Sequence, residues 1–498
     1  MQANKQVSQQ QSEQGPLKKA IRVLSIDGGG IRGVAVAEIL SQIEAEFHPR
    51  KIHELFDVIV GTSTGGLLAV MLSVEIPPLP KDEPKDDKEK KKRERQRQIR
   101  EELHLKADDK ILSAAQARDL YKLKAKDIFH EDTGFFHKLL DKNFITEKVL
   151  HWFDTKYEKG ENLKEIVKAL YIKNGFEHAQ TCTGVVVTER GFGMPLLLNS
   201  TNAKVQGCHN YHNTLSLAKL VRATSAAPTY FKAIHIHNPC IAKLENGKEK
   251  TQQELDREKE LIAASSSLWD KEMIDHKFCQ RETLFFEDGG VTCNNPSLKG
   301  FRYAKELLKL HGHNPFEYEF QIYSFGTGAT EYDQLDPAHE IIKELEKKGG
   351  KVQSGYSDTF HRLVVNDPFD IERMSYKNHH KIQQRLKFFE KKTPGIKHKY
   401  FRLQFKVTKD DLKKLDDSSE GHINNLIKSA KICMSEETKG GNPVFKQMLD
   451  CLREDVKRPL DLKKVMPNIK PEDSKIFQCP LGLHTNKSDA CELTSQEQ

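Results

Sequence analysis

Apolar positions along this chain fall into short runs separated by polar stretches, and their spacing predicts the elements. Residues 21–26 are mostly apolar and stop at a glycine cluster, the pattern of a buried strand entering a tight loop. From 34 to 47 the apolar Val36, Ile39, Leu40 and Ile43 recur at helical spacing. Residues 55–60 read as a second buried strand, followed by the glycine-rich 61–66 and an apolar helix over about 67–74. Two strand–glycine loop–helix units in succession predict a parallel α/β sheet. Further strands are expected at 180–187, 194–200, 283–286, 321–325 and 400–407, with a helix at 215–224 carrying Leu217, Leu220 and Val221.

Several stretches break this rhythm. Residues 81–102 are almost all charged, with both signs mixed, and read as an exposed loop or a solvated, mobile helix outside the core, on the face away from the glycine-rich 61–66. A second charged stretch covers 243–277, and from 331 the chain is mostly polar with a helical pattern. Residues 1–18 read as a disordered polar arm, and 458–498, with Pro459, Pro467, Pro471 and Pro480, as a poorly ordered end. The expected division is an arm at 1–18, one α/β domain at 19–435 with charged inserts at 80–106 and 241–280, and an extension at 436–498.

The net charge of +7 on 498 residues is too mild to indicate nucleic acid, and no basic run is interleaved with aromatics for base stacking. Peripheral contact with an anionic membrane surface is the partner it favours, and nucleic acid is not expected. Nine scattered cysteines, an odd number without metal-site spacing, read as reduced thiols. No apolar run is long enough to span a bilayer, and the N-terminus lacks the apolar core of a secretory signal. The expectation is a protein of the cytoplasm, or one exported without a cleaved signal, that meets lipid from water.

Three motifs carry chemistry. Gly61-Thr62-Ser63-Thr64-Gly65 fits the nucleophile elbow, G-x-S-x-G, between a strand and a helix. Small neighbours let the backbone fold back, lifting the serine hydroxyl to the N-terminus of the next helix, where the dipole favours developing negative charge. Asp27-Gly28-Gly29-Gly30-Ile31-Arg32-Gly33 also spells G-x-G-x-x-G, which in another setting holds a dinucleotide. A glycine run before a helix presents successive N–H groups to any anion, a pyrophosphate or a tetrahedral oxyanion alike. No strand ending in an acidic residue follows at the distance a ribose contact needs, and neither glycine loop ends in Gly-Lys-Ser/Thr. The third motif, Asp288-Gly289-Gly290, places a carboxylate at a strand end, as a general base beside a serine requires. Read alone, Asp-Gly is more often a turn. His209, His212, His235, His237, His379 and His380 stand in no motif that marks a base, and His235 with His237 lacks the further ligands of a metal site.

Taken together these blocks resemble the patatin-like phospholipases. The resemblance rests on Leu24-Ser-Ile-Asp-Gly-Gly-Gly-Ile-Arg-Gly33, Phe56-Asp-Val-Ile-Val-Gly-Thr-Ser-Thr-Gly-Gly66, Arg222-Ala-Thr-Ser-Ala-Ala-Pro-Thr-Tyr-Phe231 and Asp288-Gly-Gly-Val-Thr-Cys-Asn-Asn-Pro296. Ser324-Phe-Gly-Thr-Gly328 adds a shorter echo; the likeness covers about 20–330 and weakens towards 435, around Leu415-Asp-Asp-Ser-Ser419. It implies a three-layer α/β/α fold with a mainly parallel central sheet. It implies a lipid acyl hydrolase of the phospholipase A type, acting on fatty acyl esters of phospholipids or galactolipids through an acyl-serine intermediate. Ser63 would be the nucleophile and Asp288 the base, with no histidine. Gly28, Gly29, Gly30, Arg32 and the Thr64 N–H would form or support the oxyanion hole, and Asp27 would anchor the loop. No metal or organic cofactor is implied. A transacylase, or a latent lipid-binding protein activated by a protein partner, is the alternative.

Overall fold

The computed structural model describes residues 20–106, 108–128, 159–171, 174–191, 193–201, 216–228, 231, 233–237, 283–329, 369–408, 410–411, 414–435 and 442–456. The arm at 1–18, the insert at 241–280, residues 458–498, His209 and His212 lie outside them.

The N-terminal half opens with β1 (Ala20–Ile26), α1 (Gly33–Glu46), α2 (Ile52–Leu55), β2 (Val58–Thr62) and α3 (Thr64–Met71). Helices α4 (Asp87–Glu102), α5 (Ala114–Ile128) and α6 (Lys159–Tyr171) follow. Next come β3 (Cys182–Glu189), β4 (Met194–Asn199), α7 (Leu217–Thr224), β5 (Ile234–His237), β6 (Thr283–Asp288), α8 (Gly290–Cys293) and α9 (Ser297–Leu310). The chain continues through β7 (Glu319–Phe325), α10 (Phe369–Glu390), β8 (Lys399–Leu403), α11 (Glu420–Met434) and α12 (Pro443–Val456). Every expected strand that can be compared is present, displaced by one to four residues. The second strand begins later than the apolar run because 52–55 close into a helical turn first.

One sheet organises the molecule, in the order β5-β6-β3-β2-β1-β7-β8, with β4 added to β3. The β1–β2, β1–β7, β2–β3 and β7–β8 pairs are parallel; β4, β5 and β6 join antiparallel. All residues of β1, β2 and β7 are buried, as parallel strands covered on both faces must be. One face meets α1, α3, α5, α7, α11 and α12 through Leu24, Ile39, Leu68, Tyr121, Leu220 and Leu426. The other meets α9 and α10 through Val23, Val60, Phe301, Ile322 and Leu386. This is a three-layer α/β/α arrangement around a mostly parallel sheet, the fold class the sequence predicts. Helix α12, within the extension expected from 436, buries Phe445, Met448, Cys451 and Leu452 in the same core as α1. No helix among the described residues is long and apolar enough to cross a membrane.

The reading of 81–102 as a stretch outside the core is corrected. Residues 87–102 form α4, whose Arg93, Gln96 and Ile99, with Leu103 after it, are buried. Their spacing of three and four places one face of the helix against α6. Only Ile99 and Leu103 are apolar, so the stripe hides in the charge pattern; Arg93 contributes its stem and pairs with Glu89 at 2.8 Å and Asp82 at 3.1 Å. The insert is anchored where expected. Val74 bridges to Ala179 just ahead of β3, and the Ile76 N–H donates to the Lys110 carbonyl, so the insert leaves the sheet at the end remote from Ser63.

Because Ile99 is buried in this interface, Ile99→Ala is expected to destabilise the fold by about 2–5 kcal/mol, whereas neutralising the exposed Lys90 and Lys91 changes it by less than about 0.5 kcal/mol. Urea unfolding of the three proteins checks this, and equal loss for both kinds of change would mean that the helix is not docked.

Candidate active site

Strand register brings the two ends of the site together. Along one edge of β3, β2 pairs as far as Thr62 opposite Val186, and β6 takes over with Asp288 opposite Val187. β4 occupies the other edge of β3 over 184–189. The C-terminal ends of β2 and β6 therefore abut, although Thr62 and Asp288 are 226 positions apart in the chain (288 − 62).

At that junction the Ser63 hydroxyl donates to Asp288 Oδ2 at 2.7 Å. Ser63 holds φ 54°, ψ −121°, a backbone conformation that side chains rarely adopt. What holds it there is close packing: a Cβ on Gly61 would fall 2.0 Å from the Gly65 carbonyl oxygen, and one on Gly65 would fall 2.2 Å from that of Ile26. The turn is further tied by Thr224, whose hydroxyl accepts the Ser63 N–H at 2.9 Å and donates to the Val186 carbonyl at 2.6 Å. From the same segment the Thr224 carbonyl accepts the Gly289 N–H, and that of Ala226 accepts the Asp288 N–H at 3.0 Å. The Arg222–Phe231 block thus positions both ends of the Ser63–Asp288 contact. Residue types alone give no sign of this, since a threonine inside an alanine-rich helix end looks like packing.

The Asp288 carboxyl is buried. Its Oδ1 accepts the Gly290 N–H at 2.7 Å while Oδ2 faces Ser63. Burial pushes its pKa up to about 7, against the Ser63 hydroxyl and the Gly290 N–H, which favour the charged form; Glu287 nearby adds to the rise. No histidine takes part in the described contacts of either residue. His235 is exposed on β5, and His379 and His380 lie on α10.

The glycine loop after β1 lies beside the serine; a Cβ on Gly28 would come 3.1 Å from Ser63 Cβ. The Gly28 carbonyl accepts Thr327 Oγ1 at 2.6 Å and Asn294 Nδ2 at 3.3 Å. The Gly29 carbonyl accepts Arg32 Nε at 3.3 Å and the Arg32 N–H at 3.2 Å. In a trans peptide the carbonyl and the next N–H point in opposite directions. Fixing these two carbonyls therefore turns the Gly29 and Gly30 N–H groups away from their anchors. Neither N–H meets an acceptor among the described residues. The Gly28 N–H is different, because it donates to the Asn294 carbonyl at 3.3 Å and is already used in the fold. Arg32 is buried behind the loop. Thr64 opens α3, so its N–H has no acceptor within its own helix. Its hydroxyl meets that of the buried Tyr121. Gly33 opens α1, and Gly289 and Gly290 form the turn after β6.

Behind the loop, Asp27 is buried and gripped by Arg402, which donates to Oδ1 at 2.8 Å and to Oδ2 at 2.5 Å. Thr327, Ser375, Arg402 and Leu415, whose carbonyl accepts the Ile31 N–H at 2.9 Å, were not singled out by the sequence, apart from the motifs in which Thr327 and Leu415 stand.

Comparison with known proteins agrees with this arrangement of motifs. The family model described as patatin-like phospholipase matches residues 24–296, more than half of the chain. The chain belongs to the patatin-like phospholipase family. Patatin-like protein 3 of Arabidopsis thaliana is 23% identical over 362 residues, covering 69% of this chain and 68% of that protein. Phospholipase A I of Arabidopsis thaliana is 51% identical over 59 residues, 12% of this chain and 4% of that protein. Human calcium-independent phospholipase A2-gamma is 46% identical over 69 residues, 14% of this chain and 9% of that protein. The likeness to these two phospholipases thus spans a small fraction of their length.

A carboxyl whose pKa rises from 3.8 unfolded to about 7 folded is held more readily as the neutral acid in the native state. Between those values the native state binds the proton and the unfolded state does not, so the stability gained below pH 4 is lost as pH rises through 7. Asp288→Asn, neutral at every pH, should therefore unfold at a higher temperature than the parent at pH 8, and the gap should narrow as pH falls below about 7 and close near pH 4. A gap that stays constant from pH 5 to pH 8 would show that the carboxyl does not titrate as described.

Proposed function

We propose that this patatin-like chain is a lipid acyl hydrolase of the phospholipase A type, working through a Ser63–Asp288 dyad on fatty acyl esters of phospholipids or galactolipids. The observation that carries the reading is the 2.7 Å hydrogen bond from the Ser63 hydroxyl to Asp288 on a turn held by close packing at the start of α3. The names of the relatives, two of them phospholipases, support the substrate class.

In this reading Asp288 accepts the Ser63 proton as Oγ attacks the acyl carbonyl. The carbonyl oxygen becomes an oxyanion beside the Gly29, Gly30 and Thr64 N–H groups, while Arg32 holds the loop rather than touching the substrate. Gly28 contributes through its carbonyl anchors, since its own N–H is bonded to Asn294. Collapse expels the alcohol, which takes the proton from Asp288. Water then attacks the acyl-Ser63 ester and gives a proton to Asp288; collapse breaks the bond to Ser63 Oγ, which takes that proton back from Asp288, and the fatty acid leaves. The charge on Asp288 is needed for the first step, and its burial places the base near neutrality, where proton transfer in both directions is easy. Lipid reaches the site by peripheral contact with a membrane surface, and a protein partner that modulates access is compatible with the charged inserts.

Three outcomes test this. Ser63→Ala and Asp288→Asn should each abolish hydrolysis of a short-chain ester and labelling by a fluorophosphonate, and the double variant should lose no more than either alone, because the two act as a unit. Near-normal turnover in Asp288→Asn would overturn the dyad. In the parent, kcat/KM should rise with pH and level off above about 7 as Asp288 loses its proton; a profile flat from pH 5 to 8 would remove Asp288 as the base. Gly29→Ala should lower kcat and leave KM nearly unchanged, because the new Cβ falls 2.5 Å from that of Thr327, an anchor of the loop.

A further inference from the structure

The glycine loop is held from behind by a continuous chain of hydrogen bonds, most of it supplied by residues past 296, where the family match ends. Arg402 on β8 reaches over β7 and forks both oxygens of Asp27, while its NH1 also donates to Ser324 Oγ at 2.8 Å. Ser375 on α10 donates its hydroxyl to Asp27 Oδ2 at 3.0 Å and accepts Asn294 Nδ2 at 2.9 Å. The same Asn294 amide donates to the Gly28 carbonyl. Asn294 thus joins the Asp27 cluster to the peptide whose other end is the Gly29 N–H.

We propose that Arg402 is a positioning residue for the reaction, acting through Asp27, Ser375 and Asn294 to set the orientation of the Gly28–Gly29 peptide. This rests on the Ser63–Asp288 reading. Two features argue that the chain does more than hold the fold. First, it ends on a peptide beside Ser63 whose N–H meets no acceptor among the described residues. Second, it is costly: burial raises the Asp27 carboxyl, opposed first by Arg402. A buried ion pair adds little net stability over an apolar substitute, but its bidentate geometry fixes direction. Direction is what an oxyanion donor requires, since its hydrogen bond weakens steeply with misalignment.

The full chain with Ser375→Ala, Arg402→Lys or Arg402→Gln tests the proposal. The readouts are kcat and KM on a soluble p-nitrophenyl ester, the rate of inactivation by an alkyl fluorophosphonate, and thermal unfolding. Ser375→Ala and Arg402→Gln should lower kcat and the inactivation rate together by about tenfold or more, short of the roughly 10²–10³-fold loss that follows outright removal of an oxyanion donor. KM should stay within about two-fold, since ground-state binding is untouched. Arg402→Lys keeps the charge and loses the fork, and should fall between the parent and Arg402→Gln. Wild-type kcat in folded Ser375→Ala and Arg402→Gln would overturn the proposal, as would a rise in KM at constant kcat. If Arg402→Gln does not fold, Ser375→Ala, which removes one hydroxyl, decides. Ser63→Ala run alongside separates the two readings: retained turnover there sinks the dyad, whereas its loss there with normal relay variants sinks only the relay.

Discussion

The site depends on a single strand edge used twice. β3 pairs with β2 up to Val186 and with β6 from Val187, so two strands running in opposite directions end against each other. Serine and aspartate then need no long side chain to meet: Asp288 is itself paired with Val187, and Ser63 directly follows the Thr62–Val186 pair. A slip of one residue in either register would turn Ser63 or Asp288 to the opposite face. The alternation is fixed because Leu284 and Phe286, on the same face as Asp288, are buried in the core that also takes Val185 and Val187.

Around that junction the polar groups are arranged to stay still. Thr224 ties the strained turn to β3, and the Gly28 and Gly29 carbonyls are each held by two donors. Donors fixed before the substrate arrives lose little on reorganisation when charge develops. The cost falls on buried carboxyls: Asp27 and Asp288 are both raised by desolvation, and they differ in their partners. Asp27 has a guanidinium on both oxygens, while Asp288 faces a hydroxyl and an N–H.

Helix α4 is set apart from this machinery. Its anchors at Val74–Ala179 and Ile76–Lys110 lie at the end of the sheet remote from Ser63. Its exposed side carries Lys90, Lys91, Arg95 and Arg97 with Glu94 and Glu101 among them, while Ile99 and Gln96 face inward. A surface that engages this helix is therefore at the end of the sheet away from Ser63 and Asp288.

Much of this was legible in the residues. Apolar runs marked the strands because a parallel sheet covered on both faces admits little else, and small residues marked the elbow because a Cβ on Gly61 or Gly65 would collide with backbone. The family blocks marked Ser63 and Asp288. The helical face of α4 was not legible, because a stripe with one arginine, one glutamine and one isoleucine has no apolar period to read. Nor were Thr224, Ser375 and Arg402, whose parts in the site come from contacts across 161, 348 and 375 positions of chain. Sequence alone determined which motifs the chain shares with its family and which strands they follow. Only the tertiary structure decided which N–H groups of the glycine loop meet no acceptor among the described residues, because that depends on where every neighbouring carbonyl finds its donor.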